Sequence, residues 1–285
     1  YSVNLKKQKI KELKKNKNFI FKKIEKTKKK NLKAYLSKFK FDFVFHFAAQ
    51  PGVRYSLRNP KKYYLTNVLG YQNLIDSLNI KNIKKIIYAS SSSVYGDQKI
   101  FPTKETSNLK AKNPYGLSKI LKENLSEIYS NIYNSYFVGL RLFTVYGEWG
   151  RPDMFIFKLL NCIKKNKKFY LNNDGNHKRD FTYIKDVVEI CLKLINHKQK
   201  KKHEIFNICS SRSININNLK KIFIKNYPLA KIINIPANKA DVKDTFGSNK
   251  KITKELNHKN FMKLEVGIKN SISWFEKNKI EKLIS

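Results

Sequence analysis

The sequence predicts an α/β fold: a doubly wound parallel sheet carrying a smaller α+β lobe. Two observations lead there. Short apolar strands alternate with amphipathic helices over the first half of the chain, the pattern of βαβ units. Three of those strands then run into loops of small and polar residues, HFAAQPGVR, ASSSSVYG and FTVYGEWGRPDM. In such sheets ligands sit beyond the carboxyl ends of the strands, so three unusual strand ends in one region mark a site.

The elements follow in order. Residues 1–38 are dense in lysine and read as a helix, a short strand at Phe19–Phe21 and a second helix. FDFVFHFAAQPGVR (41–54) is an apolar strand that stops abruptly in small residues, as a buried parallel strand does on entering its loop. Tyr64, Val68, Tyr71, Leu74, Ile75 and Leu78 recur at helical spacing, giving a helix over 61–80. KKIIYAS (84–90) is another buried strand, followed by a loop with Pro102. Asn113-Pro114 starts a helix, asparagine as cap and proline at the first helical position. It runs to about 133, with Leu117, Ile120, Leu121, Leu125, Ile128 and Ile132 along one side. YFVGLRLF (136–143) is a third strand. Beyond about residue 150 helices and short strands, such as Phe169–Leu171 and Glu204–Ile208, alternate irregularly. The predicted division is 1–145 and 146–285, with 182–210 returning to the first unit.

Composition narrows the function classes. The chain has 285 residues, 41% of them hydrophobic, enough for a real core. No apolar run is long enough to span a membrane. Three widely spaced cysteines and five histidines show no metal-ligand spacing, so no metal is expected; so sparse a cysteine count fits a reducing cytoplasm. The formal charge of +39 invites a nucleic-acid reading. Against it, only six of the 60 basic residues are arginine, and the lysines scatter along the whole chain. A nucleic-acid surface clusters its charge with arginine and aromatics. No nucleic-acid partner is therefore expected. The few arginines become informative, because a planar fork grips carboxylate or phosphate two-handed.

Tyr115 and Lys119 lie four apart on the helix that starts at Asn113, so ammonium and phenol share a face. A neighbouring cation favours the phenolate that a general base needs. The spacing alone is weak. With 16 tyrosines and so many lysines, about three matches arise by chance, and three exist: Tyr95/Lys99, Tyr115/Lys119 and Tyr227/Lys231. Only Tyr115 has a capped helix and a serine-bearing strand end upstream.

HFAAQPGVRYS (46–56), YASSSSVYG (88–96), NPYGLSK (113–119), LRLFTVYGEWGRPDM (140–154) and KRDFTYIKDVV (178–188) together resemble the extended short-chain dehydrogenase/reductase superfamily, most closely its UDP-glucuronate 4-epimerases. The resemblance runs in order over nearly the whole chain. It implies a Rossmann-like sheet, NAD as cofactor, a UDP-sugar as substrate and a homodimer. UDP-glucose 4-epimerases and sugar dehydratases stay open as alternatives. A dehydratase is expected to carry Asp-Glu where this chain has Ser92-Ser93.

By the resemblance Tyr115 is the base, Lys119 tunes it and holds the nicotinamide ribose, and Ser91 completes the catalytic set. Ala48, Ala49, Gln50, Asn67 and Glu25 match cofactor contacts. Ser92, Ser93 and Thr144, aided by Arg54 or Arg151, would face the sugar carboxylate. Arg179 matches the grip on the diphosphate, and Asp241 a contact to the nucleotide ribose. Two departures stand out. No glycine precedes Gly52, so the family's glycine-rich phosphate turn is absent from this sequence. One βαβ unit of about 40 residues is expected to be missing, and NAD binding to be weak or lost. The loop near the nucleotide ribose reads Asn238-Lys239-Ala240-Asp241, without the family's glycine.

Overall fold

A computed structural model describes residues 2–237 and 241–284. The lysine-rich start forms α1 (Val3–Leu13) and α2 (Lys29–Leu36). The strand expected at Phe19–Phe21 does not form. That stretch is irregular, with Ile20 71% exposed, and no neighbouring strand offers it a ladder among the described residues.

β1 (Phe43–His46) leads through α3 (Val53–Arg58), α4 (Pro60–Tyr63), a π-helical turn at Tyr64–Leu69 and α5 (Gly70–Ser77) to β2 (Lys85–Ala89). A 3-10 turn at Ser92–Val94 follows, then α6 (Pro114–Ile132) and β3 (Phe137–Leu142). The chain next forms β4 (Thr144–Tyr146), α7 (Phe155–Lys164), β5 (Phe169–Asn172), β6 (Lys178–Tyr183), α8 (Ile184–Asn196) and β7 (His203–Ile208). β8 (Ser213–Asn215), α9 (Ile216–Asn226), β9 (Ile232–Ile235), α10 (Lys250–Leu256), α11 (Leu264–Lys277) and α12 (Ile280–Leu283) complete the described fold.

The main sheet is parallel, in the order β1-β2-β3-β7. Phe43 stands opposite Lys85, Ile86 opposite Phe137, and Phe137 opposite His203. Every residue of β2 is buried, which explains the apolar run after Lys85. Two small sheets, β4-β6-β8 and β5-β9, complete the strands. A hydrophobic cluster separate from that of the main sheet gathers Phe157, Leu160, Phe169, Leu219, Phe223, Ile268 and Phe275. Among the described residues no helix is long and apolar enough to cross a membrane.

Most of the apolar side of α6 does not face the core, although Ile120 packs against Val94, Tyr95 and Phe143. Leu117, Leu121, Ile128 and Ile132 are exposed, while Gly116, Ser118, Lys119, Lys122, Glu123, Ser126 and Ser130 are buried.

Candidate active site

The site is organised by the amino end of α6. The Asn113 side chain accepts the Gly116 N–H at 2.9 Å, and Pro114 fills the first helical position. A Cβ at residue 116 would lie 2.5 Å from the Ser93 carbonyl oxygen. Glycine therefore lets the helix press onto the serine loop that leaves β2. That approach brings Tyr115 and Lys119 to the carboxyl end of the sheet. Ser91 is close enough to the Tyr115 phenol to draw its pKa down, and the Lys119 ammonium lies 5.6 Å from the Tyr115 ring centre. Lys119 donates to the Ala89 carbonyl at 2.9 Å, which locks it beneath the end of β2.

The four serines divide. The Ser90 hydroxyl donates to Glu123, whose carboxylate also takes the Arg141 guanidinium two-handed at 3.0 and 2.7 Å. Ser91 Oγ accepts the Ser93 N–H at 3.2 Å and lies close enough to Tyr115 to lower its pKa. Ser92 and Ser93 are half-buried on the same 3-10 turn.

Burial dominates the electrostatics. Desolvation lowers Lys119 to about 8 and pushes Lys122 well below its ordinary value. It raises the Tyr115 phenol above its ordinary value, against the opposing pull of Ser91 and Arg151. The expected net depression of Tyr115 is thus not present in the chain by itself. The reason is that phenol and ammonium are desolvated together, which disfavours charge on both. His46, the last residue of β1, is depressed by burial and by Lys122, whose Nζ lies 2.7 Å from Nδ1.

On the side expected to hold the cofactor, Asn67 accepts the Gln50 N–H at 2.7 Å. It also donates to the Gln50 carbonyl at 3.1 Å and to Ser118 at 3.0 Å. Its amide thus pins the loop after β1 to α6. Ala49 and Gln50 are half-buried in that loop and Ala48 is exposed. The Glu25 carboxylate accepts the N–H and hydroxyl of Thr27, closing its own turn. Lys26 was not foreseen. Its ammonium donates to the Ala48 carbonyl at 2.8 Å, and burial first, then Lys119, lowers it to about 8. Its long stem in so lysine-rich a segment gave no sequence signal.

On the side expected to hold the substrate, Thr144 opens β4, half-buried. Arg151 bonds Asp153 and acts on Tyr115 through charge. Arg54 forms a two-handed pair with Asp241 at 3.3 and 2.7 Å. Residues 238–240 of the expected ribose loop lie outside the described residues. Arg179 donates to the carbonyls of Lys178, Lys243 and Val242, with burial lowering its pKa. The other two tyrosine–lysine matches are structural. Tyr95 donates to Asn207 at 2.7 Å and Tyr227 to Glu276 at 2.9 Å.

A parallel sheet, a serine-bearing strand end and a capped helix presenting tyrosine and lysine have counterparts among known proteins. The profile of the NAD dependent epimerase/dehydratase family matches residues 3–209. UDP-glucuronate 4-epimerase of Thermodesulfobacterium geofontis is 34% identical over 98% of this chain and 86% of that protein. A solved UDP-glucuronic acid 4-epimerase from Bacillus cereus, in complex with UDP-glucuronic acid and NAD, superposes with a TM-score of 0.86 at 28% identity, covering 96% of this chain and 87% of that one. UDP-glucose 4-epimerase of Thermotoga maritima, solved with UDP-glucose, also gives 0.86 at 28% identity, covering 93% and 86%. With the profile spanning the main sheet and the strand-end chemistry matching it, the chain belongs to the NAD dependent epimerase/dehydratase family.

Proposed function

We propose that this protein is an NAD-dependent UDP-sugar 4-epimerase whose substrate pair is UDP-glucuronate and UDP-galacturonate. The observation that carries the reading is the Tyr115 phenol within reach of Ser91, with Lys119 5.6 Å from its ring centre and held beneath the end of β2. That trio suits abstraction of a proton from a secondary alcohol and its later return.

The residues present fit the nicotinamide end of the cofactor. The loop after β1 has small side chains at Ala48 and Ala49, and Asn67 fixes its course. The sequence offers no glycine-rich turn for the pyrophosphate. When bound, NAD⁺ supplies an acceptor for the C4 hydride and a donor for its return.

The chain's own residues do the rest. Tyr115, once its own proton has left and it stands as phenolate, takes the 4-hydroxyl proton at Oη, and Ser91 holds the same oxygen in line. Lys119 stabilises the phenolate when a proton leaves Tyr115. Its ammonium is held by the Ala89 carbonyl, so no reorganisation is needed at that moment. Inversion at C4 requires the keto sugar to present its other face to the same hydride position, and the proton then returns from Tyr115. Ser92, Ser93 and Thr144 offer hydroxyl donors to a C5 carboxylate, and Arg151 adds charge next to Tyr115. Arg179 serves the diphosphate and Asp241 the nucleotide ribose, once Arg54 and the backbone carbonyls release them. Three free thiols fit a cytoplasmic setting.

Fold does not choose the sugar, because relatives acting on glucose and glucuronate superpose equally well. The serine pair and Arg151 favour the acid. Proton NMR of the anomeric region, with UDP-glucuronate or UDP-glucose at saturating NAD⁺, tests this. A UDP-galacturonate signal is expected from the first. Epimerisation of UDP-glucose alone would reassign the substrate.

We also assign a homodimer, formed by the exposed apolar faces of α6 and of the helical segment at Tyr64–Leu69. Leu65 and Leu69 there are exposed and, with Leu121, line a shallow apolar hollow. A two-fold pairing of helices would cover it.

A further inference from the structure

We propose that His197, Glu204 and Glu255 bind one first-row divalent cation, zinc by preference, at the end of the sheet opposite the catalytic tyrosine. His197 follows α8, Glu204 is the second residue of β7 and Glu255 lies in the last turn of α10. Sequence spacing gave no hint of a metal among the histidines. The fold brings these three side chains together from positions up to 58 residues apart.

The geometry favours a cation over a plain ion pair. His197 Nε2 lies 3.5 Å from Glu204 Oε2 and 3.6 Å from Glu255 Oε2. All three donor atoms fall within 4.8 Å of one another. A charge-assisted N–H···O bond would be about 2.7–2.9 Å long, so an imidazolium shared between two carboxylates would be closer. Ligands bound at about 2.0–2.2 Å around a tetrahedral cation stand about 3.4 Å apart, close to the spacing found.

Satisfaction of the polar atoms points the same way. His197 and Glu204 side chains are 9% and 5% exposed. Nε2 of His197 and Oε2 of each glutamate are buried with no hydrogen-bond partner among the described residues. Such groups are costly unless something compensates them.

Neighbouring groups hold the ligands in place. Glu204 Oε1 accepts the N–H groups of Lys200 and Lys201 at 3.2 and 3.3 Å, which aims Oε2 at the imidazole. The carbonyl of His197 is held by the Lys85 ammonium at 2.8 Å, and its ring packs edge-on to Phe206. Ligand-orienting contacts of this kind accompany metal sites. One imidazole and two carboxylates suit zinc, iron or cobalt better than calcium or magnesium, which prefer all-oxygen sets. Three protein ligands leave a fourth position for water. The cation would clamp the end of α8, the start of β7 and α10.

The test uses tag-free protein stripped with a chelator. Titration with Co²⁺ should give visible absorption saturating at one equivalent, abolished by Zn²⁺. Zn²⁺ should raise the melting temperature, and Mg²⁺ should not. Glu255→Gln removes the most exposed ligand and leaves the fold by circular dichroism unchanged. It should weaken cobalt binding at least about tenfold and abolish the zinc-dependent rise in melting temperature. His197→Gln should do the same. UDP-sugar turnover should be unaffected in either variant, which separates this site from the proposed activity. Folded protein that shows no cobalt absorption, or binds cobalt equally well in both variants, overturns the proposal.

Discussion

The two faces of α6 have exchanged their usual chemistry. The side against the sheet carries Ser118, Lys119, Lys122, Glu123, Ser126 and Ser130, all buried, with Glu123 paired to Arg141. The other side carries Leu117, Leu121, Ile128 and Ile132, between 36% and 66% exposed. An ordinary surface helix does the reverse. The buried face is polar because it holds hydroxyls and cations at fixed points beneath the strand ends: Lys119 on Ala89, Lys122 on His46, Ser118 on Asn67. The apolar face is the one assigned above to a second copy of the chain. Hydrophobic periodicity on one helix thus need not mark the face that packs on the protomer core.

The comparison predicts a graded set of effects. Tyr115→Phe should cut turnover by about 10²–10⁴-fold, the usual worth of a positioned acid–base group. Circular dichroism and melting temperature should stay as in the parent. Glu123→Gln should destabilise the protomer by about 3–5 kcal/mol in urea unfolding, since it strands the Arg141 guanidinium in a buried place. A loss below about 1 kcal/mol would mean that the pair is dispensable. On the opposite face, Leu121→Glu with Ile128→Lys should leave protomer stability within about 0.5 kcal/mol. Sedimentation should show dimer converting to monomer. A dimer that survives would place the interface elsewhere.

The smallest effect is in pH. Burial lowers Lys119 from 10.5 to about 8 in the folded state, and Lys122 is lowered as well. Below about pH 8 Lys119 carries its charge folded and unfolded, and the full cost of burying that charge is present. Between 8 and 10.5 the folded state binds fewer protons than the unfolded one, so stability rises with pH. Relief of the chain's large positive charge adds to that rise. Lys122→Met should therefore flatten the slope only in part, read as the difference between the two unfolding curves. Parallel curves would mean that Lys122 keeps its ordinary pKa.

Much of the sheet was legible. β2 and β3 lie within a residue or two of the segments expected for them, because buried parallel strands are short apolar runs with abrupt ends. Asn113 and Pro114 start α6 where cap chemistry places them. The segment at Phe19–Phe21 misled, since apolar β-formers make a strand only beside a ladder partner. That Tyr115 and Lys119 would meet the serine-bearing end of β2 was legible, because spacing, cap and strand end all agreed; the role of Ser91 rests on the resemblance. Lys26, Glu123 and the His197 trio could not. Each depends on a contact between distant segments, and glutamate or lysine in a charged helix carries no mark of burial.

The measurement that bears most directly on the polar face of α6 follows deuterium at C4. UDP-glucuronate labelled with deuterium at C4 would be incubated with the protein and NAD⁺ in ordinary water. Proton NMR would then be recorded on the product. Hydride transfer with Tyr115 handling only the hydroxyl proton predicts UDP-galacturonate with deuterium retained at C4, and no product from Tyr115→Phe. Exchange of the label with solvent, or undiminished turnover by Tyr115→Phe, would contradict the account.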